Sequence, residues 1–423
     1  MSPPSPTATD APTLLGLVAD DLTGAADAAA GFAEQGWRVL LHLAPDRTDL
    51  GALDAASSDG STVLAVATHV RALPEERAAA VTRAAVVALA AAGVERLFVK
   101  VDSTVRGSVA GQVDGALAGW SSTRSGGSAS AVVCPAFPAL GRTVEGGVVL
   151  VHGVPVAETA AAADPVTPVG RSDLATLLPG AVCGSVDDLG PAATDGSRLL
   201  VDAASDAELD ALAEHLTRAG PGLVAVGSGG LAAALGRCWR REHPGPRVPD
   251  VGTGGPVLVA VSSLHPVTAA QLAHLRAEMA PSTLVLTTGP DLATHPDEAA
   301  RALARQVADD LARRTYGALV LVGGDGAAAV LEHLGAYTLV VDGTVLGGCP
   351  TGVVRGGVAD GLRVVTKSGG FGEASGLTRI VARLAAPPAP LASAATPAGS
   401  PTSATPEPAP AGLPQPHPRE DIS

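Results

Sequence analysis

Short apolar runs alternate with alanine-rich stretches along most of this chain, and that alternation constrains its fold more than any other feature. Runs of Val, Leu and Ala at 14–19, 38–43, 62–67, 96–101, 129–135 and 222–226 read as strands, and residues 23–35, 74–92 and 231–241 read as helices. The strand runs are apolar throughout, as strands covered by helices on both faces must be. A strand-helix-strand rhythm implies mostly parallel strands. A second cycle follows, with strands at 257–262, 284–287, 318–322 and 337–341 and helices at 268–279, 296–316 and 326–334. Between the cycles, residues 243–255 hold three prolines and four glycines and read as a linker. The expected architecture is α/β in two domains, 13–247 and 248–386. Each is a mainly parallel sheet flanked by helices, with a cleft between them. A chain of 423 residues suits two cores.

Composition narrows the function. Hydrophobic residues make up 46% and aromatics only 2%, so the cores must be built from Ala, Val and Leu. The formal net charge of −14 argues against nucleic acid or an anionic membrane as partner. The four cysteines are scattered with no C-x-x-C pair, and the histidines are dispersed, so neither a disulfide framework nor a protein-held metal is expected. The N-terminus lacks a basic and apolar leader, and apolar runs such as 84–93 are roughly half the length needed to span a bilayer. The expected location is the cytosol. Residues 1–12 and the Pro/Ala/Ser/Thr-rich stretch 387–423 are expected to stay outside the fold.

Ligands of open α/β sheets sit at the carboxyl ends of strands, so the loops there carry the chemistry. The first reads Asp20-Asp21-Leu22-Thr23-Gly24. Capping of the next helix explains one acidic residue, and a cation or a ligand hydroxyl would explain the pair. The second, Lys100-Val-Asp102-Ser103-Thr-Val-Arg106-Gly107, gathers a cation, a carboxylate, hydroxyls and a guanidinium. That inventory suits a polyhydroxylated carboxylate: Arg forks the acid group and Asp accepts from hydroxyls. A third, Cys134-Pro-Ala-Phe-Pro-Ala-Leu-Gly-Arg142, is a rigid loop presenting Arg142. In the second cycle, Ser262-Ser263-Leu-His265, Gly323-Gly324-Asp325-Gly326 and Thr366-Lys367-Ser368-Gly369-Gly370 resemble loops whose N–H groups cradle phosphates. Lys100 and Lys367 are the chain's two lysines, and both stand at such loops.

One rival is legible. Gly324-x-Gly326-x-x-Ala329, with Asp342 further on, fits a dinucleotide fingerprint and would make the chain an NAD(P)-dependent dehydrogenase of a small hydroxy acid. No Walker A sequence occurs.

Together, Val18-Ala-Asp-Asp-Leu-Thr-Gly-Ala-Ala-Asp27, Lys100 to Gly107, Pro135-Ala-Phe-Pro-Ala-Leu-Gly-Arg142 and Val365-Thr-Lys-Ser-Gly-Gly-Phe-Gly372 resemble the signature segments of the four-carbon acid sugar kinase family. The resemblance runs in order from about residue 14 to 385. It implies ATP-dependent phosphorylation of erythronate, threonate or 3-oxo-tetronate, with Mg2+ as cofactor beside ATP. It also implies a substrate domain followed by a nucleotide domain.

On that reading Asp20, Asp21, Lys100, Asp102, Ser103, Arg106 and Arg142 bind the sugar acid. Ser263, His265, Gly323, Gly324, Asp325, Gly326, Lys367, Ser368, Gly369 and Gly370 bind ATP, and Asp21, Asp102 and Lys367 are the catalytic candidates. A homodimer is compatible with this class. The family pattern has further hydroxyls where this chain reads Ser263-Leu-His265 and Asp325-Gly326, which also admits a catalytically weakened, sugar-acid-binding relative.

Overall fold

The computed structural model describes residues 14–43, 61–124, 128–164, 166–185, 196–239, 251–278, 283–288 and 295–388. The expected lead 1–12, residues 243–250 of the expected linker, and all but the first two residues of the stretch 387–423 lie outside them.

The elements of the first half are β1 (Leu14–Ala19), α1 (Leu22–Ala33), β2 (Arg38–His42), β3 (Thr62–Ala67), α2 (Glu75–Ala91), β4 (Arg96–Lys100), α3 (Val109–Ser122) and β5 (Ser130–Cys134). Three short strands follow, β6 (Arg142–Glu145), β7 (Val148–Val151) and β8 (Val154–Pro155). Then come α4 (Leu174–Leu177), β9 (Val182–Gly184), β10 (Arg198–Val201), α5 (Asp206–Arg218), β11 (Leu223–Gly227) and α6 (Gly229–Cys238). The second half holds β12 (Val257–Val261), α7 (Pro266–Glu278), β13 (Thr283–Thr287), α8 (Pro296–Arg313), β14 (Ala318–Val322) and α9 (Gly324–His333). It ends with β15 (Thr338–Leu346), β16 (Cys349–Arg355), β17 (Arg363–Lys367) and α10 (Gly376–Ala385).

Among the described residues, fourteen strands form one sheet in the order β13-β12-β14-β17-β16-β15-β2-β3-β1-β4-β11-β5-β10-β9. The two expected sheets are thus joined edge to edge. The joint is antiparallel, between β15 and β2, and β16 is antiparallel to both β15 and β17. All other pairings in this sheet are parallel.

Parallel register sets where the loops emerge. Ala19 lies opposite Ala67 and Lys100, and Gly227 lies opposite Lys100 and Cys134. The loops opening at Asp20, Thr68, Val101, Ser228 and Pro135 therefore share one edge. In the second half Val322 pairs with Val261 and Lys367, which aligns the loops at Ser262, Gly323 and Ser368.

Alanine does the packing that aromatics do elsewhere. α1 buries Leu22, five alanines between 25 and 30, Phe32 and Ala33, leaving little polar face. Such an all-round apolar helix has to lie in the interior. It packs on β1, β2 and β3 in one half and on β15, β16 and β17 in the other. Glycine does the same for α3 against α2: a methyl on Gly111, Gly115 or Gly119 would stand 2.3, 2.2 or 3.0 Å from the carbonyl oxygen of Glu75, Ala79 or Arg83. Only bare backbone lets these two helices approach so closely.

Candidate functional site

Asp21 caps α1 in extended geometry (φ −145°, ψ 163°) and accepts a hydrogen bond from the Gly24 amide at 3.0 Å. Thr23 Oγ1 donates to its other carboxylate oxygen at 2.6 Å. Capping therefore does not exclude Asp21 from the acidic cluster. Arg71, from the loop after β3, organises the acidic pair. Its Nε donates to Asp20 Oδ2 at 2.6 Å and its Nη2 to Asp21 Oδ1 at 2.7 Å, and Nη2 lies 3.7 Å from Asp102 Oδ1. Asp20 is fully buried, and its Oδ1 has no hydrogen-bond partner among the described residues. Burial pushes the Asp20 carboxyl above the usual range despite Arg71. Burial also acts upward on Asp21, but Arg71, Lys100 and Thr23 outweigh it and leave that carboxyl below its ordinary value.

The second loop closes on Asp102. Its Oδ2 accepts from the Thr104 amide at 3.0 Å, the Thr104 hydroxyl and Arg106 Nε at 3.0 Å, and its Oδ1 accepts from Arg106 Nη2 at 2.8 Å. Burial opposes ionisation here, but Arg106 and Arg71 overwhelm it and hold the carboxyl well below the usual range. Arg106 also reaches Asp164 at 3.1 Å, so both its arms are engaged. Arg142 differs. Its Nη1 donates to the Leu140 carbonyl at 2.8 Å, its Nε is buried without a partner among the described residues, and no carboxylate there pairs with it. It opens the three-stranded antiparallel sheet β6-β7-β8. Ser103 is half-buried beside Asp102. Two non-glycine residues in this cluster adopt left-handed backbone, His69 (φ 54°) beside Arg71 and Val105 (φ 53°) beside Arg106. Such strain collects at functional sites.

The three glycine loops of the second half come together. Ser262 is packed so tightly on its neighbours that a methyl on Gly323 or Gly326 would lie 2.4 or 2.2 Å from its Oγ. Thr268 Oγ1 donates to the Gly369 carbonyl at 2.7 Å and lies 3.2 Å from Ser263 Oγ. His265 lies against Gly370, and the Gly323 amide donates to the Lys367 carbonyl at 2.9 Å. Asp325 and Ser368 are exposed at the rim. No side chain caps α9, because Gly323 (φ 107°) precedes it. That start offers unsatisfied N–H groups and the positive end of the helix dipole. Both lysines fold onto the next carbonyl: Lys100 Nζ donates to Val101 O and Lys367 Nζ to Ser368 O, each at 2.9 Å. Burial brings the Lys367 ammonium down to about 8.

The loops of the two halves also meet. A methyl on Gly324, in the first turn of α9, would sit 3.5 Å from Thr23 Oγ1 and 3.6 Å from Asp21 Oδ2. The acidic loop therefore touches the phosphate-type loop. Lys367 lies deeper, with Cys349 as its titratable neighbour.

Arg71 and Asp164 join this cluster from outside the loop motifs, and Thr23 joins it from within the first of them. Arg71 was legible, since it follows β3 as the other loops follow their strands. The dinucleotide fingerprint fails on topology. Asp342 lies inside β15, which pairs with β16 and β2 rather than with β14, and it is bound to Arg363 at 3.0 Å. A ribose-binding acid belongs at the end of the parallel strand next door. Among the described residues no group of three or more His, Cys, Asp or Glu could hold a metal ion, and no helix is long and apolar enough to cross a membrane.

Known proteins resemble this chain in sequence and in fold. Residues 15–235 match the family described as a sugar-binding N-terminal domain, and residues 292–377 the one described as a nucleotide-binding C-terminal domain. A D-threonate kinase of Bordetella bronchiseptica is 40% identical over 86% of this chain and 96% of its own. A D-erythronate kinase of Heliobacterium modesticaldum is 33% identical over 60% of this chain and 58% of its own. A solved structure from Salmonella typhimurium, described as a putative tRNA synthase, superposes with a TM-score of 0.67 at 21% identity, covering 87% of this chain and 98% of that one. At that identity the likeness speaks for the fold.

Proposed function

Because the chain belongs to the four-carbon acid sugar kinase family, we propose that it transfers the γ-phosphoryl group of MgATP to a hydroxyl of a four-carbon sugar acid, of the threonate, erythronate or 3-oxo-tetronate class. The observation that carries this reading is the contact of Gly324 with Asp21 and Thr23, which sets a phosphate-type helix start against a hydroxyl-binding acidic loop. Phosphoryl transfer asks for in-line placement and charge neutralisation more than for covalent help.

Residues 13–247 hold the sugar acid and residues 248–386 the nucleotide. Asp20, Asp21, Lys100, Asp102 and Ser103 receive the hydroxyls. Arg142 forks the carboxylate, since Arg106 is already spent on Asp102 and Asp164. The phosphates lie over Gly323, Gly324, Asp325, Gly326, Ser368, Gly369 and Gly370, flanked by Ser263 and His265. Lys367 meets the transferring oxygens. Magnesium enters on ATP as part of that substrate, and the enzyme works in the cytosol, where ATP is made available to it. The test is ADP release from ATP and magnesium across a panel of four-carbon sugar acids. Release that depends on one of them supports the reading, and cofactor-dependent absorbance change with a nicotinamide would favour the dehydrogenase instead.

A further inference from the structure

The acidic groups of the site fall into two kinds. Asp20, Asp21, Asp102 and Asp164 are each tied to Arg71 or Arg106. Asp21, Asp102 and Asp164 are held below their ordinary values, so they can orient a hydroxyl but are weak proton acceptors, and Asp20, though raised by burial, has no exposed surface. Asp27 is of the other kind. It lies on α1, one turn beyond Thr23 and on the same face, since residues four apart stack along a helix. Thr23, with Asp21, is what meets Gly324 from the other half. Asp27 is half-buried, and among the described residues it has no hydrogen bond and no ion pair. Its Oδ2 lies against the start of α6, where a methyl on Gly229 would come within 2.5 Å of it. The same methyl would be 2.8 Å from the Phe137 ring, in the loop that presents Arg142. The position therefore lies between the acidic loop, with Asp21 and Lys100 as charged neighbours, and the loop that presents Arg142.

We propose that Asp27 is the general base of the reaction, an assignment that rests on the kinase reading above. As the sugar-acid hydroxyl oxygen bonds to the γ-phosphorus, the bond from that phosphorus to the β–γ bridging oxygen breaks and ADP leaves. The hydroxyl proton passes to an Asp27 carboxylate oxygen and then to solvent. The charged and titratable groups around Asp27 agree with the role. Burial raises its carboxyl above the ordinary value, Lys100 of β4 pulls it down, and Asp21 and Glu34 push it up. Cys349 of β16 faces it from the other half. A carboxylate raised in this way is a better acceptor at neutral pH than Asp21 or Asp102.

The experiment compares the wild-type protein with Asp27→Asn and Asp27→Glu. It measures ADP release with the preferred four-carbon acid from about pH 5 to about pH 9, and acceptor binding by calorimetry. Asp27→Asn should lower kcat by about 100-fold or more, keep acceptor affinity within about threefold, and lose the acidic limb of the pH profile. Asp27→Glu should keep part of the rate with the limb displaced. Retention of kcat within about threefold, or loss of acceptor binding equal to the loss of rate, overturns the assignment. If Asp27→Asn does not fold, the Glu variant decides, and a profile superimposable on wild type overturns it. Absence of ADP release by the wild type with every acceptor defeats the kinase reading itself, and the base with it.

Discussion

Lys367 offers a prediction that sets stability against function. Its side chain is 1% exposed, has no carboxylate beside it among the described residues, and donates only to the Ser368 carbonyl. Burial lowers it from 10.5 to about 8. That difference corresponds to about 3 kcal/mol of cost for keeping the ammonium charged in the folded protein at neutral pH. Lys367→Met removes the charge and keeps the volume, while losing one hydrogen bond that contributes about 1 kcal/mol. The variant should therefore be more stable than wild type by about 2 kcal/mol near pH 7, with its turnover lost.

The sign with pH follows from linkage. The folded value lies below the unfolded one, so the cost is full below about 8 and fades as pH rises toward the unfolded value. Wild type should gain about 1 kcal/mol between about pH 7 and about pH 9. Cys349 works the other way. Burial pushes its thiol from 9.0 up to about 11, so its contribution is present below 9.0 and lost as pH rises to about 11. Both proteins carry Cys349, and the comparison stops at the lower edge of that window. Urea unfolding of both proteins at the two pH values is the assay. A variant less stable than wild type near pH 7, or a stability difference independent of pH, would refute the reasoning.

Three further outcomes are expected. Arg142→Ala should raise KM for the sugar acid by about 10- to 100-fold with ATP affinity unchanged, the loss expected for charge-assisted hydrogen bonds to a carboxylate; steady-state kinetics in both substrates checks it. Arg71→Ala leaves Asp20, Asp21 and Asp102 without their shared cation, and should cost about 3 to 5 kcal/mol in urea unfolding near neutral pH. Gly115→Ala puts a methyl 2.2 Å from the Ala79 carbonyl and should cost about 1 to 3 kcal/mol while leaving KM unchanged.

Much of the fold was legible because parallel strands announce themselves. The runs at 14–19, 62–67 and 318–322 coincide with β1, β3 and β14 to the residue. What stayed hidden was antiparallel, local or short, and the parallel strands β9 and β10, of three and four residues, went unread together with α5. β15 and β16 form a hairpin around Gly347 and Gly348, and the pattern showed only the first part of β15. The β6-β7-β8 sheet consists of strands of four, four and two residues, too short for a period to register. α3 was hidden because its contact face is glycine, which reads as a helix breaker unless the partner helix is known.

The strand-end rule located the loops of both halves. It gave no means of knowing that Gly324 would meet Thr23 and Asp21, because that contact depends on α1 spanning the joint between β2 and β15. Nor could it tell a free arginine from an occupied one. Arg106 and Arg142 look alike in sequence, and only the structure shows Asp164 taking the second arm of Arg106.

The central claim is that a γ-phosphoryl group passes from ATP to a four-carbon sugar acid. The most direct measurement is mass spectrometry of threonate, erythronate and their 3-oxo forms after incubation with the protein, MgATP and labelled γ-phosphate. The account predicts that one of them gains a single labelled phosphoryl group in equal amount to the ADP formed. Labelled phosphate appearing only as inorganic phosphate, or no label transfer to any of these acids, would contradict it.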